Sequence, residues 1–333
     1  MKALVYEKAH TLDTWAIELT DVAEPTPGES DVLVEVRAVG INPGETFLRK
    51  TRSADTGGRV LLGWEFAGEV VGVGAAVRRF KVGDRVFGTG DVRRDGAWAE
   101  RVAVDHRVVA AIPDALSFTA AASLPVGAIT AWEAMFRDAG SLPVNVNRVF
   151  VIGGAGGVGS LAIQLLKAKT KAFVIATASR PASRAWCKGM GSDLVVDHAG
   201  DVVAQLASAG IAAVDMVLST ANSPGNLPWI TKLLRPFGHL SVVDGSPGLD
   251  VNTLVPKAVS LHTEMIFSRL SNDYAPETHG TILDQVAAFA AKGKIKPIAT
   301  TQLDGLTPET MKKAHELVET RRTIGKLVIA IER

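Results

Sequence analysis

Residues 149–167 read VFVIGGAGGVGSLAIQLLK, and this stretch decides the fold. An apolar run typical of a buried strand leads into Gly154, Gly156 and Gly159, which match G-x-G-x-x-G, and an amphipathic helical pattern follows. In that context the glycines permit a tight turn, close backbone approach to a pyrophosphate and close helix–sheet packing. The first N–H groups and the dipole of the helix favour phosphate. The stretch predicts a dinucleotide-binding unit, against the alternative of a glycine-rich turn without ligand.

The next strand predicts which dinucleotide binds. It ends in FVIATASRPASR (173–184), whereas NAD-binding proteins usually carry an acidic residue there for the ribose 2′-hydroxyl. The first acidic residue after the glycines is Asp193. Ser179 and Arg180 occupy the corner, with Arg184 nearby, and a hydroxyl and a guanidinium suit a 2′-phosphate. We therefore predict NADP(H), the alternative being that Arg180 is an ordinary solvated arginine.

Outward from this motif, the chain changes character near residues 116–136, where an Ala-rich helical pattern begins. Before it, short β-rich runs separated by turn residues suggest a small β-barrel; they lie at 32–39, 66–73, 85–88 and 101–104. After it, strands and helices alternate, which predicts a parallel sheet covered by helices on both faces. The predicted strands are 149–152, 173–177, 194–196, 214–218, 240–243 and 262–267. The predicted helices are 158–169, 183–190, 282–291 and 308–319, and a last strand is predicted over 326–331.

Composition excludes several classes of protein. The 333 residues are 47% apolar and 21% charged, as in a globular protein, and the formal net charge of +1 comes without a basic block that would suit nucleic acid or an anionic membrane. Cys187 is the only cysteine, so an internal disulfide and a multi-cysteine metal site are impossible; it is expected to be a small core residue. No signal-like or membrane-spanning apolar segment is evident, and we expect a cytoplasmic protein.

Five segments in order resemble one superfamily across nearly the whole chain. They are GINPGETFLRK (40–50), GWEFAGEVVGVGAAVRRFKVGDRVFG (63–88), DGAWAERVAV (95–104), SLPVGAITAWEAMF (123–136) and RTIGKLVIAI (322–331). The chain thereby resembles the medium-chain dehydrogenase/reductase superfamily in its quinone oxidoreductase branch, and most of all the zinc-type alcohol dehydrogenase-like subgroup.

That resemblance implies an α/β architecture of two domains. A GroES-like β-barrel catalytic domain would comprise residues 1–121 and 270–333, and a Rossmann doubly wound parallel-sheet domain for NADP(H) would comprise residues 122–269. The resemblance also implies that substrate and nicotinamide meet in the cleft between the domains. A homodimer is expected through the last Rossmann strand, placed at His262–Phe267.

The positions that hold catalytic zinc in related enzymes carry other residues here. The resemblance places Asn42, Trp64 and Val126 where those relatives have a cysteine, a histidine and a further cysteine. Zinc in proteins is held by Cys, His and carboxylate ligands, and none of these three residues supplies one. We therefore predict no metal. A reductase acting on an already electrophilic quinone or α,β-unsaturated carbonyl needs only orientation and a hydrogen-bond donor.

Three residues are predicted for the substrate side. Asn42 is predicted to face the substrate or the nicotinamide ribose, because its amide can donate to a developing oxyanion. The alternative is that Asn42 is a turn residue before Pro43. Phe47 replaces the tyrosine of the branch and can stack on a flat acceptor, and Trp64 is expected to fill the space of the metal; core packing is the alternative for both. Glu45 and Glu65 are expected to be structural and paired with Arg49, Arg52 or another cation.

The predicted cofactor contacts combine the local motif with the resemblance. The resemblance places Thr130 and Lys326 near the nicotinamide and His198 near the adenosine phosphate, with ordinary surface roles as alternatives for His198 and Lys326. The full predicted set is Thr130, Gly154, Ala155, Gly156, Gly157, Val158, Ser179, Arg180, His198 and Lys326. The resulting hypothesis is an NADPH-dependent, zinc-independent quinone or enone reductase; the alternatives are a non-catalytic NADPH-binding protein and a zinc-type alcohol dehydrogenase.

Overall fold

The computed structural model describes residues 1–138, 140–245 and 247–331. Two compact units are distinguished. The first unit comprises Met1–Val126, Phe267–Lys292 and Pro297–Arg333, and the second unit comprises Gly127–Ile266 and Gly293–Lys296. None of the described helices is both long and apolar enough to cross a membrane.

The bounds of the elements follow in chain order. The strands are β1 Lys2–Val5, β2 Glu18–Asp21, β3 Asp31–Ile41, β4 Glu65–Val73, β5 Arg85–Thr89, β6 Arg101–Asp105, β7 Val109–Ala111, β8 Arg148–Ile152, β9 Phe173–Thr177, β10 Leu194–Val196, β11 Val214–Ser219, β12 Leu234–Val242, β13 Ser260–Thr263, β14 Ala299–Asp304 and β15 Lys326–Ala330. The α-helices are α1 Pro43–Thr51, α2 Phe118–Ala121, α3 Pro125–Phe136, α4 Gly157–Lys169, α5 Pro181–Gly189, α6 Val202–Ser208, α7 Ser223–Leu233, α8 Ser268–Ser271, α9 Glu277–Ala291 and α10 Pro308–Glu319. Short 3₁₀ helices span His106–Val108 and Val251–Lys257.

The first unit is built on a mostly antiparallel seven-stranded sheet with the order β14-β15-β3-β4-β5-β7, and β6 also pairs with β3. Strand β3 is central because it pairs with β4, β6 and β15. Its sequence alternates as its environment does: Val32, Val34 and Val36 are fully buried, while Glu35 and Arg37 are half-buried. Each buried aliphatic side chain contributes about 1.5–3 kcal/mol through removal of apolar surface from water.

The second unit carries a parallel six-stranded sheet in the order β10-β9-β8-β11-β12-β13. Numbered within the unit, this order is 3-2-1-4-5-6, which is the order of the Rossmann fold. The predicted α/β class with a parallel cofactor sheet is therefore confirmed. The order reverses beside β8, and in such sheets ligands bind at the carboxyl ends of the strands at this switch point.

The structure corrects two predicted elements and adds a helix that was not predicted. The strand predicted over His262–Phe267 runs instead over Ser260–Thr263, because the apolar residues that follow Glu264 form a turn that leads into α8. The helical pattern over 116–136 is two helices, α2 and α3, with Pro125 opening the second. Helix α1 was missed, although Asn42-Pro43 followed by Glu45 is a helix-start pattern.

Candidate functional site

Asn42 lies in the first unit at the junction between β3 and α1. Its backbone is extended, with φ −118° and ψ 149°, and Pro43 begins the helix with a preset φ. The backbone N–H of Asn42 donates to Oε2 of Glu45 at 2.8 Å. The Glu45 carboxylate therefore secures the start of the helix by accepting the backbone N–H of Asn42, as in a capping box.

The Asn42 side chain belongs to a buried polar network with Glu65 and Lys326. Its Nδ2 donates to Oε2 of Glu65 at 3.0 Å, and its Oδ1 accepts from Nζ of Lys326 at 2.6 Å. Lys326 Nζ also lies 2.7 Å from Glu65 Oε2, and the two side chains are 6% and 0% exposed. The second carboxylate oxygen, Oε1, accepts the backbone N–H of Val126 at 2.8 Å. The network confirms that Glu65 is paired with a cation, which is Lys326.

Glu45 is the second buried acid beside this network. Its Oε1 accepts the backbone N–H of Trp64 at 3.1 Å, and the residue is 2% exposed. Burial raises the pKa of Glu45 to about 7, opposed by its two backbone hydrogen bonds; the negative charge of Glu65 adds to the increase. The neighbouring Arg49, one of the predicted partners of Glu45, pairs instead with Glu319 at 2.6 Å.

Gly40 makes room for the Glu65 carboxylate. A Cβ at this position would lie 2.5 Å from Oε2 of Glu65 and 2.6 Å from the carbonyl oxygen of Ala122. Neither atom can withdraw easily, because the carboxylate is ion-paired and the carbonyl is backbone. The absence of a side chain at position 40 therefore allows the buried network to form next to β3.

The two aromatic residues predicted for the substrate side differ in exposure. Trp64 is 3% exposed and packs edge-to-face against Phe267, with ring centroids 5.6 Å apart. Its indole N–H is buried and has no hydrogen-bond partner among the residues that the structure describes. Phe47, on α1, is 63% exposed. An unpartnered buried donor calls for an explanation, and a bound acceptor oxygen is one.

The residues that the resemblance places at the three zinc-ligand positions do not fit a zinc ion. Trp64 and Val126 have no side-chain atom that binds zinc. The one candidate oxygen, Oδ1 of Asn42, accepts a hydrogen bond from the Lys326 ammonium at 2.6 Å, and that positive charge would repel a metal cation. Across residues 1–138, 140–245 and 247–331, no group of three His, Cys, Asp or Glu side chains is arranged to hold a metal.

The glycine loop of the second unit has the geometry of a dinucleotide site. Gly153 turns the chain with φ +74°. A Cβ on Gly154 would lie 2.7 Å from Cβ of Ala176 on β9, and one on Gly159 would lie 2.2 Å from the carbonyl oxygen of Gly153. A Cβ on Gly156 would meet only that carbonyl oxygen, at 3.5 Å, so the other side of Gly156 is open. This open cradle at the start of α4 fits a pyrophosphate.

The neighbouring strand ends in the corner that would face the adenosine ribose. Ser179 and Arg180 follow β9, both half-buried, and Arg180 precedes α5. The Ser183 hydroxyl accepts the backbone N–H of Arg180 at 3.2 Å, which secures the turn. Asp193 is at the opposite end of β9, where its carboxylate accepts the backbone N–H of Val174 at 2.7 Å. Asp193 is therefore unsuited to bind a ribose at this corner.

The other predicted cofactor residues fall in different places. Three of them belong to the glycine-rich turn and the first turn of α4, namely Ala155, Gly157 and Val158. The exposed His198 follows β10. These four residues therefore lie at the same carboxyl edge of the sheet as Ser179 and Arg180. Thr130 lies within α3 and is 6% exposed. Lys326 is instead in the first unit, where its ammonium is engaged by Asn42 and Glu65. Its predicted contact with the cofactor stays a prediction.

Comparison with known proteins establishes the family. Residues 28–114 match the alcohol dehydrogenase GroES-like domain, and residues 157–280 match the zinc-binding dehydrogenase family. A zinc-type alcohol dehydrogenase-like protein of Staphylococcus aureus is 33% identical over 99% of this chain and 100% of its own length. The two matched family models, together with the Rossmann order of the parallel sheet, identify an oxidoreductase. The chain belongs to the medium-chain dehydrogenase/reductase superfamily.

Two further relatives bear on the site. The crystal structure of a Rhizobium etli protein, described provisionally as a zinc-dependent alcohol dehydrogenase, superposes with a TM-score of 0.96 at 34% identity and covers 100% of this chain and 98% of its own. The 2-methylene-furan-3-one reductase of Solanum lycopersicum is 29% identical over 99% of this chain and 79% of its own length. The relatives thus include one named for a metal-dependent dehydrogenase and one named for the reduction of a conjugated ketone.

Proposed function

We propose that this protein is a zinc-independent, NADPH-dependent reductase of quinones or α,β-unsaturated carbonyls. The observation that carries the proposal is the bond from the Lys326 ammonium to Oδ1 of Asn42, at 2.6 Å. The sequence resemblance implies that a zinc ligand occupies the position of Asn42 in zinc-dependent relatives. An alcohol must lose a proton before it can give up hydride, and zinc assists that step. A conjugated carbonyl already accepts hydride at carbon, so its reduction does not require a metal.

The first unit would supply binding and electrophilic assistance to the acceptor. When bound, NADPH supplies a hydride from C4 of its nicotinamide. Hydride addition places negative charge on the carbonyl oxygen of the acceptor. Asn42 Nδ2 has two N–H groups, of which one donates to Glu65, so the other can donate to this oxygen. The unpartnered N–H of Trp64 is a second candidate donor, and the exposed ring of Phe47 offers a surface for a flat acceptor.

The second unit would bind NADPH. We place the pyrophosphate against the backbone N–H groups of the glycine loop and α4, and the 2′-phosphate against Ser179 and Arg180. Support for NADPH over NADH comes from the lack of a carboxylate at the end of β9 and the engagement of Asp193 at the other end. The proposed reductase activity has separate support, because the related protein from Solanum lycopersicum is named a reductase and not an alcohol dehydrogenase.

We also propose a cytoplasmic homodimer joined through β13. This strand pairs only with β12 in the described part of the chain, so its outer edge can accept a second copy. Light scattering coupled to size-exclusion chromatography would measure the mass directly. A monomer at micromolar concentration would contradict this part of the proposal without affecting the reductase activity.

The test of the proposed activity follows the loss of NADPH absorbance in buffer with a metal chelator. The acceptors are an ortho-quinone, a para-quinone and a medium-chain enone, and parallel reactions contain NADH. We expect turnover that survives chelation and is much slower with NADH. NADPH binding without turnover of any acceptor would favour a non-catalytic binding protein. Activity abolished by the chelator and restored by zinc would refute the zinc-independent mechanism.

A further inference from the structure

We propose that Lys326 is a positioning residue that sets the orientation of the Asn42 amide and so determines which of its atoms faces the acceptor. The inference rests on the proposed reductase function. Lys326 does not itself touch the acceptor in this proposal; it acts through Asn42. Its ammonium contacts Oδ1 of Asn42 at 2.6 Å and Oε2 of Glu65 at 2.7 Å.

The orientation follows from the donors and acceptors present. A lysine ammonium has only donors and a carboxylate only acceptors, whereas an asparagine amide has one oxygen acceptor and two N–H donors on nitrogen. With Lys326 on one side and Glu65 on the other, the amide oxygen must face Lys326 and the nitrogen must face Glu65. If the amide were rotated by half a turn, its NH₂ group would face the ammonium of Lys326 and its oxygen would face the carboxylate of Glu65. Two charge-assisted hydrogen bonds would then be lost. The second N–H of Asn42 is consequently held in one direction.

The pairing of the strands holds Lys326 in place. Strand β15 runs antiparallel to β3, with Leu327 opposite Ile41, so the next pair in the register is Lys326 opposite Asn42. The backbone N–H of Lys326 also donates to the carbonyl oxygen of Ile298 at 2.7 Å. The ammonium therefore reaches Asn42 from a rigid strand, as a positioning group must.

Removal of the ammonium would free the amide as well as leave Glu65 without its cation. A lysine that only neutralises Glu65 would affect folding, and its loss would change activity regardless of what stands at position 42. A lysine that acts through Asn42 would lose its effect on turnover once the amide is removed. These two roles are separable by a double-mutant cycle.

The experiment compares wild type, K326M, N42A and the K326M/N42A double variant. With NADPH and whichever acceptor wild type reduces, kcat and KM are measured together with the unfolding temperature. Loss of an oriented oxyanion donor costs about 10²-fold or more in kcat, so we expect N42A to fall by about that factor and K326M by about tenfold or more. In the N42A background we expect K326M to leave kcat unchanged within about twofold. The values of kcat are determined at saturating NADPH, so that any contribution of Lys326 to cofactor binding does not enter the comparison.

Controls separate positioning from folding. R94M removes another ion pair of the first unit, between Arg94 and Asp31 at the far end of β3, and should lower the unfolding temperature without lowering kcat. If K326M does not fold, the cycle is repeated with E65Q/K326M, which leaves no unpaired buried charge.

Two outcomes would overturn the inference, and they differ. An equal drop in kcat from K326M in both backgrounds would refute positioning through Asn42 while the reductase function stands. Wild-type protein without turnover of any acceptor would refute the proposed function, and the positioning role would fall with it.

Discussion

The buried acid Glu45 makes the stability of the protein depend on pH in a defined direction. Burial raises its pKa in the folded protein from 4.5 to about 7. The folded state therefore binds the proton more tightly than the unfolded chain does. The stabilisation that Glu45 provides is fully present below the pKa of Glu45 in the unfolded chain. It is lost as the pH rises through the pKa of Glu45 in the folded protein. Stability attributable to Glu45 should fall from about pH 5 to about pH 8.

The magnitude follows from the two pKa values. The gap between 4.5 and about 7, at about 1.4 kcal/mol per pH unit, amounts to about 3 kcal/mol in total. About 2 kcal/mol of this falls between about pH 5.5 and about pH 8. E45Q cannot ionise, and glutamine is also accepted at this position of a helix start. The substitution replaces one acceptor oxygen by an NH₂ group, which lowers the stability of E45Q by about 1 kcal/mol without introducing a titrating group.

The assay is urea unfolding at a series of pH values, with the free energy of unfolding compared between wild type and E45Q. Other groups that titrate in this range, such as the histidines, contribute to both proteins and cancel in the difference. We expect wild type to lose about 2 kcal/mol relative to E45Q across the range. E7Q, at an exposed glutamate, should show no such change. A difference that stays constant with pH would refute the raised pKa of Glu45.

Three further predictions concern separate parts of the molecule. R180A should raise the KM for NADPH about tenfold to a hundredfold through loss of a charge-assisted hydrogen bond, and leave the KM for NADH unchanged in initial-rate kinetics; an equal rise for both would exclude a 2′-phosphate contact. G40A should lower the free energy of unfolding by about 1–3 kcal/mol, because its Cβ would meet Oε2 of Glu65 at 2.5 Å; unchanged thermal unfolding would contradict this. Cys187 is buried, and burial raises the pKa of its thiol to about 11. Mass spectrometry should therefore find Cys187 unmodified by a maleimide in native protein and labelled in urea. Rapid labelling of the native protein would show that α5 packs loosely.

Local patterns predicted the cofactor unit well. The alternation of strands and helices led to the parallel sheet, and α4 begins at Gly157, one residue before its predicted start. In the first unit, helix α10, Pro308–Glu319, also has the predicted bounds. These features depend on residues close in sequence, such as apolar periodicity, glycine spacing and a proline at a helix start. The strand predicted over 262–267 was wrong because an apolar run does not reveal where pairing stops.

The sequence by itself determined the two-part α/β architecture, the glycine-rich turn after β8 and the lack of an acid after β9. Only the tertiary structure decided which side chains surround Asn42. Asn42 and Lys326 are 284 positions apart in the chain and meet because β15 pairs with β3. The raised pKa of Glu45 likewise requires burial that no local pattern predicts. Periodicity and motifs reflect interactions between residues that are close in sequence. A buried polar network depends instead on strand register and on the exclusion of water, and both arise only when distant segments pack together.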